Sequence, residues 1–351
     1  MVQRPGLPSQ RACEARGVPI TENGYHFAML GSRHQPPGLA ERLFTTLKAL
    51  TTLAAGAAVG LAAFALVAVA AGCGSSSATA TGSPVAVVAG ENVWGGIAAQ
   101  IGGARVRVTS LISDPNADPH LFQASAADAG AVADARIVIE NGAGYDNFVG
   151  QLLSASGAHP AVIDAQRVLG ETGANVNPHF WYDVARVPLV AQAVERALIA
   201  ADPAGATAYK AGLRRFDASL RPTLAVIAQI KRRFAGQPVA YTERVPGYLI
   251  ADAGLVSVTP PGFATAIENG NEPSASDTQA MQSLIAGHRL RLLLYNTQAT
   301  SAVSQHTRIL ALQAGIPVVG VSETRPSNEP SYQAWQLRQA HEILQALGGR
   351  S

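Results

Sequence analysis

The chain's 351 residues carry 26 Lys and Arg against 24 Asp and Glu, with only two cysteines. That balance excludes a strongly basic field for nucleic acid, and two cysteines exclude a disulfide framework. Stability must come from an apolar core, for which the length is ample.

Arg33, Arg42 and Lys48 supply positive charge ahead of an apolar run from about Leu50 to Ala71. Ala70-Ala71-Gly72 then precedes Cys73, and a Gly/Ser/Thr/Ala stretch follows it. Charge, greasy segment, small residues and cysteine are the order of an export signal ending in a lipid-accepting cysteine. An uncleaved membrane helix is the alternative, because the run is long enough to span hydrocarbon. The reading therefore divides the chain into a leader over 1–72, a tether over 73–83 and a body beyond. Removing the leader takes six basic and three acidic residues, leaving 20 and 21 on a 279-residue body. With Cys13 gone and Cys73 lipidated, that body has no internal disulfide.

Along the body, strand-like and helix-like segments alternate. Pro84 to Ala89, Arg105 to Ile112 and Arg136 to Glu140 read as strands, with helices near Trp94 to Ile101, Ser125 to Ala133 and Tyr145 to Ser154. Pro188 opens a further helix that pauses at Asp202-Pro203. Leu213, Phe216, Leu220, Leu224, Ile227 and Ile230 then recur at helical spacing towards Phe234. At about 1.5 Å per residue this is a rod of about 40 Å, with Pro222 requiring a kink or a restart. After Gly236-Gln237-Pro238 the rhythm resumes, with strands at Val239 to Thr242, Val256 to Val258, Leu292 to Tyr295 and Pro317 to Val321. Helices are expected near Ser276 to Ala286, Ala302 to Ala314 and Ser331 to Leu347. The expected fold is two parallel-sheet α/β lobes, 84–203 and 237–351, joined by one linking helix over 204–236.

Four potential metal ligands fall at the ends of these segments. His120 follows Asp118-Pro119, and His179 follows Asn177-Pro178 and precedes Phe180-Trp181-Tyr182-Asp183. Imidazole is a competent ligand for first-row divalent ions. Either histidine alone would be an ordinary surface group; two Pro-His-aromatic loops in one chain are more informative. Glu243 and Glu323 each follow a strand, and parallel strands deliver their carboxyl ends to one edge, where ligand sites of open α/β folds lie. A solvated loop acid is the bland alternative for both.

The Asp-Pro-His loop at 118–120, Asn-Gly-x-Gly at 141–144, Pro-His-x-Trp-x-Asp at 178–183, Thr-Glu before Gly247-Tyr248, and Ser322-Glu323-Thr324 occur in one order. Over about residues 84–349 the chain thereby resembles the solute-binding receptors that deliver manganese or zinc to bacterial ABC importers. The resemblance implies two lobes on one long helix, small lobe movements, and His120, His179, Glu243 and Glu323 as ligands of one Mn2+ or Zn2+. Behind them Trp181 is expected to shield the site and Asp183 either to orient a ligand or to cap a helix. It further implies a monomer held to the extracytoplasmic face by lipid on Cys73, with an importer permease as partner and no enzymatic activity.

Two departures bear on the metal. Zinc receptors of this group typically carry a third histidine at the place of Glu243, and many have a His/Asp/Glu-rich loop, which does not occur between His120 and His179. Manganese receptors carry Asp at the place of Glu323. The harder oxygen donors favour manganese slightly; zinc is close behind because intrinsic affinity favours it, and iron or another ion is the remaining alternative.

The rival function is an exported metal-dependent hydrolase, which needs an open coordination position and a base. No Ser-centred elbow, HExxH or phosphate loop supports it. A metal-stabilised adhesin is the other alternative.

Overall fold

The computed structural model describes residues 83–114, 119–173 and 175–349, without the side chain of His120. The leader, Cys73 and the tether up to residue 82 lie outside these residues.

The first sheet is built from β1 (Val85–Glu91), β2 (Val106–Ile112), β3 (Ile137–Glu140) and β4 (Ala161–Asp164), all parallel in the order β2-β1-β3-β4. Its helices are α1 (Asn92–Gly102), α2 (Ala126–Ala133), α3 (Asn147–Ser156), α4 (Ala165–Leu169) and α5 (Val187–Ala201). The central strands are apolar on both faces because both faces are covered. Val87, Ala89, Ile137 and Ile139 enter one core, and the alternate residues Val88 and Val138 enter another with Val132 and Val149. Ser125 starts α2 by a reciprocal cap, its hydroxyl accepting from the Asp128 backbone while the Asp128 carboxylate accepts from the Ser125 N–H.

The linking rod is one long path in two helices, α6 (Ala206–Ser219) and α7 (Arg221–Phe234). Leu220 keeps helical dihedrals, φ −80 and ψ −17, but Pro222 in the first turn of α7 has no N–H to continue the ladder, so the helix restarts. α6 packs on α1 and α5 of the first lobe, and α7 packs on the second. Gly212 permits the first contact, since a Cβ there would collide with the Ile101 carbonyl oxygen. Arg105 braces the entry to the rod, bonding both oxygens of Asp202 at 2.7 and 3.0 Å.

The second sheet repeats the first. β5 (Pro238–Tyr241), β6 (Val256–Ser257), β7 (Leu293–Asn296) and β8 (Val318–Val321) are parallel in the order β6-β5-β7-β8. Its helices are α8 (Gly247–Asp252), α9 (Pro261–Glu268), α10 (Ala275–Ala286), α11 (Ala302–Gln313) and α12 (Tyr332–Ala346). Glu268 is the last residue of helix α9. Proline at the first helical position costs no hydrogen bond and presets φ, so Pro261 starts an element there.

One continuous apolar cluster joins Val87 and Trp94 of the first lobe to Tyr209 and Phe216 of the rod and to Leu249, Leu294 and Trp335 of the second. In each sheet the connections reverse direction beside the first strand, between β1 and β3 and between β5 and β7. Ligand crevices of open parallel sheets form beyond the strand ends at that reversal.

Candidate metal centre

The second lobe delivers its polar groups from strand ends. Glu243 lies two residues beyond β5, Asn296 is the last residue of β7, and Glu323 lies two residues beyond β8; all three are buried. The Asn296 amide nitrogen donates to Glu243 Oε2 at 2.8 Å and to Glu323 Oε1 at 2.7 Å. Its carbonyl oxygen accepts from the Gln298 backbone N–H at 3.0 Å, which fixes the amide's orientation. Gln298 Oε1 in turn accepts from the backbone N–H groups of Glu323 and Thr324, at 2.6 and 3.0 Å.

The first lobe delivers an imidazole from a stiffened loop. His179 is fully buried, and the carbonyl of Pro178 before it accepts from Asn141 Nδ2 at 2.8 Å. Asn177 Nδ2 donates to the Arg244 carbonyl at 2.8 Å, so its Oδ1 is the atom 2.7 Å from His179 Nδ1. A carbonyl oxygen can only accept, so Nδ1 carries a hydrogen, and in the neutral imidazole Nε2 is the nitrogen with the lone pair. Among the described residues Nε2 has no hydrogen-bond partner, and it lies 3.4 Å from Glu323 Oε2. Two donors at ~2.0–2.1 Å from one ion at a tetrahedral angle stand about 3.4 Å apart, so the gap suits an ion between them.

Aromatic rings wall this gap. Trp181 and Tyr145 meet the His179 ring edge-on, with centroids 5.5 and 5.8 Å away. The Tyr145 hydroxyl donates to Glu323 Oε2 at 2.9 Å. Burial, then the neighbouring Glu323 charge, push its phenol well above the ordinary value, so it remains a donor.

His179, Glu243 and Glu323 are thus brought together, pairwise, through Asn296 and the 3.4 Å approach. His120 lies in the short turn Pro119–Leu121 beyond β2, and its side chain is outside the described residues. Among the described residues, no three His, Cys, Asp or Glu side chains form a ready-made cage. The Asp183 carboxylate accepts from the Arg186 backbone at 3.1 Å and from the Arg186 guanidinium at 3.3 Å, without capping the helix that follows. Asn177 supports the imidazole instead.

A second acid pair lies at the end of the first sheet. Asp146 accepts from the backbone N–H groups of Asn141 and Gly142, at 2.6 and 2.9 Å. Beside it, Glu91 is fully buried; that burial, then the Asp146 charge, push its carboxyl well above the ordinary range. Asp146 has the backbone donors, so Glu91 holds the proton.

The model of the family described as "Zinc-uptake complex component A periplasmic" matches residues 87–346. The chain belongs to this family. A metal-binding protein of Treponema pallidum is 24% identical over 269 residues, covering 70% of this chain and 81% of the relative. The manganese-binding lipoprotein MntA of Halalkalibacterium halodurans is 27% identical over 140 residues, 38% of this chain and 46% of that protein. Among solved structures, the periplasmic zinc-binding protein TroA of Treponema pallidum has a TM-score of 0.64 at 19% identity, covering 77% of this chain and 100% of that one. The manganese-bound periplasmic metal-binding protein of Candidatus Liberibacter asiaticus has a TM-score of 0.61 at 20% identity, covering 74% and 98%. At such identities the structural likeness concerns the fold, and the family match carries the function. A member of the zinc-uptake component family is an extracytoplasmic binding protein, not an enzyme. It captures a divalent transition metal for an ABC importer.

Proposed function

We propose that His120, His179, Glu243 and Glu323 enclose the captured ion, with manganese the cargo ahead of zinc. The observation that carries this reading is Nε2 of His179, held 3.4 Å from Glu323 Oε2 in a buried, aromatic-walled gap between lobes. Two imidazoles and two carboxylates neutralise a divalent charge, and a buried cation would be costly without both acids. The oxygen share suits manganese, while intrinsic affinity draws the same set towards zinc. Relatives named for each ion stand on both sides of that balance.

Capture proceeds without turnover. The ion meets the histidines of the 84–203 lobe, and the glutamates of the 237–351 lobe complete its shell. Occupancy then favours the closed arrangement by differential binding. The rod over 204–236 and the continuous core limit the movement to a small adjustment. Lipid on Cys73 holds the monomer at the membrane, where the permease of the importer draws the lobes apart.

Competitive loading of the apo chain at controlled free Mn2+ and Zn2+ tests this reading. One ion per chain is expected, and Glu243→His should shift preference towards zinc by roughly tenfold, as a third imidazole replaces an oxygen donor. A chain that loads neither ion ends the proposal.

A further inference from the structure

Nothing in the ligand set itself explains how two glutamates would refuse calcium, which takes roughly six to eight oxygen ligands and accepts carboxylates through one oxygen or both. Glu323 sharpens the difficulty. Its extra methylene, compared with aspartate, gives the carboxylate more freedom to swing both oxygens onto an ion.

The hydrogen bonds around Asn296 remove that freedom. Both hydrogens of its amide nitrogen are engaged, one on Glu243 Oε2 and one on Glu323 Oε1. The amide cannot flip without losing the Gln298 N–H on its oxygen, and its own backbone N–H donates to Thr242 Oγ1 at 3.0 Å. The Glu323 backbone is gripped from the same frame by Gln298 Oε1, while Gln298 Nε2 donates to Thr324 Oγ1 at 2.6 Å. Asn296 is fully buried, so water does not stand in for these bonds.

We propose that Asn296 is a specificity-determining residue: by holding one oxygen of each glutamate it prevents two-oxygen clamping, and thereby excludes calcium in favour of ions satisfied by two nitrogens and two oxygens. This rests on the metal-capture reading above. The amide supplies no charge, so it limits the number of oxygens offered without weakening the pair's attraction for a divalent ion. Glu243 and Glu323 remain the ligands, and Asn296 acts through them as a positioning residue.

The test is calcium competition on the purified chain loaded with Mn2+, with released Mn2+ read by electron paramagnetic resonance and Zn2+ affinity measured in parallel. Asn296→Ala, which removes both donations, should lower the calcium concentration that displaces half the manganese by roughly tenfold or more, with no gain in zinc affinity. Asn296→Ser, which can donate to only one carboxylate, should shift it in the same direction by less and serves if the alanine variant does not fold. A merely structural role predicts instead that calcium and zinc affinities fall together. That parallel fall, or unchanged calcium competition in the folded variants, overturns the inference alone. An unsubstituted chain that binds neither Mn2+ nor Zn2+ overturns the capture reading and this inference with it.

Discussion

Each lobe buries two acids at the carboxyl end of its sheet, and the two lobes handle the repulsion in opposite ways. In the first, Asp146 draws two backbone N–H groups and Glu91 keeps a proton, driven by burial and by the Asp146 charge. In the second, Asn296 stands between Glu243 and Glu323 and donates to both. Burial favours a proton on the first pair, whereas an amide brings hydrogens and no positive charge to the second. A cation between Glu243 and Glu323 is what the proposed capture would add. The sheets repeat one topology, so strand order alone does not distinguish the two crevices; the donors around the acids do.

The sharpest way to break this contrast is to neutralise one acid in each lobe. Glu323→Gln should lower metal affinity beyond the roughly 10–100-fold expected for loss of an outer partner. Glu91→Gln should leave it within about threefold, since one hydrogen bond or less is at stake there. Competition against a chromogenic chelator measures both, and equal losses would erase the distinction. A smaller effect is expected at Asn177, which joins the lobes by accepting from His179 Nδ1 and donating to the Arg244 carbonyl. Asn177→Ala should cost roughly tenfold in metal affinity. Asn177→Asp, which keeps the acceptor, should recover part of that loss in the same assay while the melting temperature of the apo chain controls for folding.

The sequence pattern made the candidate ligands easier to single out than the amides around them. Glu243 and Glu323 stand out as acids just beyond apolar strands, and His179 as a histidine behind a proline; all three meet in the structure. Asn296 and Gln298 do not stand out, because Asn and Gln near a strand end read as turn residues. Their role depends on which amide faces which carboxylate, a tertiary fact. Asn177 is hidden in the same way by the Asn-Pro pair it begins, and Asp183 seemed the better partner for His179 only because it is charged. The fold followed hydrophobic rhythm wherever elements were long. It failed at β4, whose Ala-Val pair is exposed, and at α9, where Pro260-Pro261 reads as loop.

The least dramatic prediction reaches furthest into the first lobe. Glu91 faces Asp146, Glu140 and Tyr145, and the carboxyls of Asp146 and Glu140 are themselves pushed up by burial. In the unfolded chain Glu91 titrates near about 4.3, whereas the fold holds its proton to higher pH. Between those points the native state binds more protons than the unfolded one, so this residue's contribution to stability falls as pH rises. Glu91→Gln keeps the shape and removes that dependence. The variant should therefore melt a few degrees above the parent at neutral pH, with the gap closing as pH falls towards about 4. Melting curves from pH 4 to 8 read the slope directly. A constant gap, or none, would mean that Glu91 is not held protonated, and the two acid pairs would then be alike in the one respect that separates them.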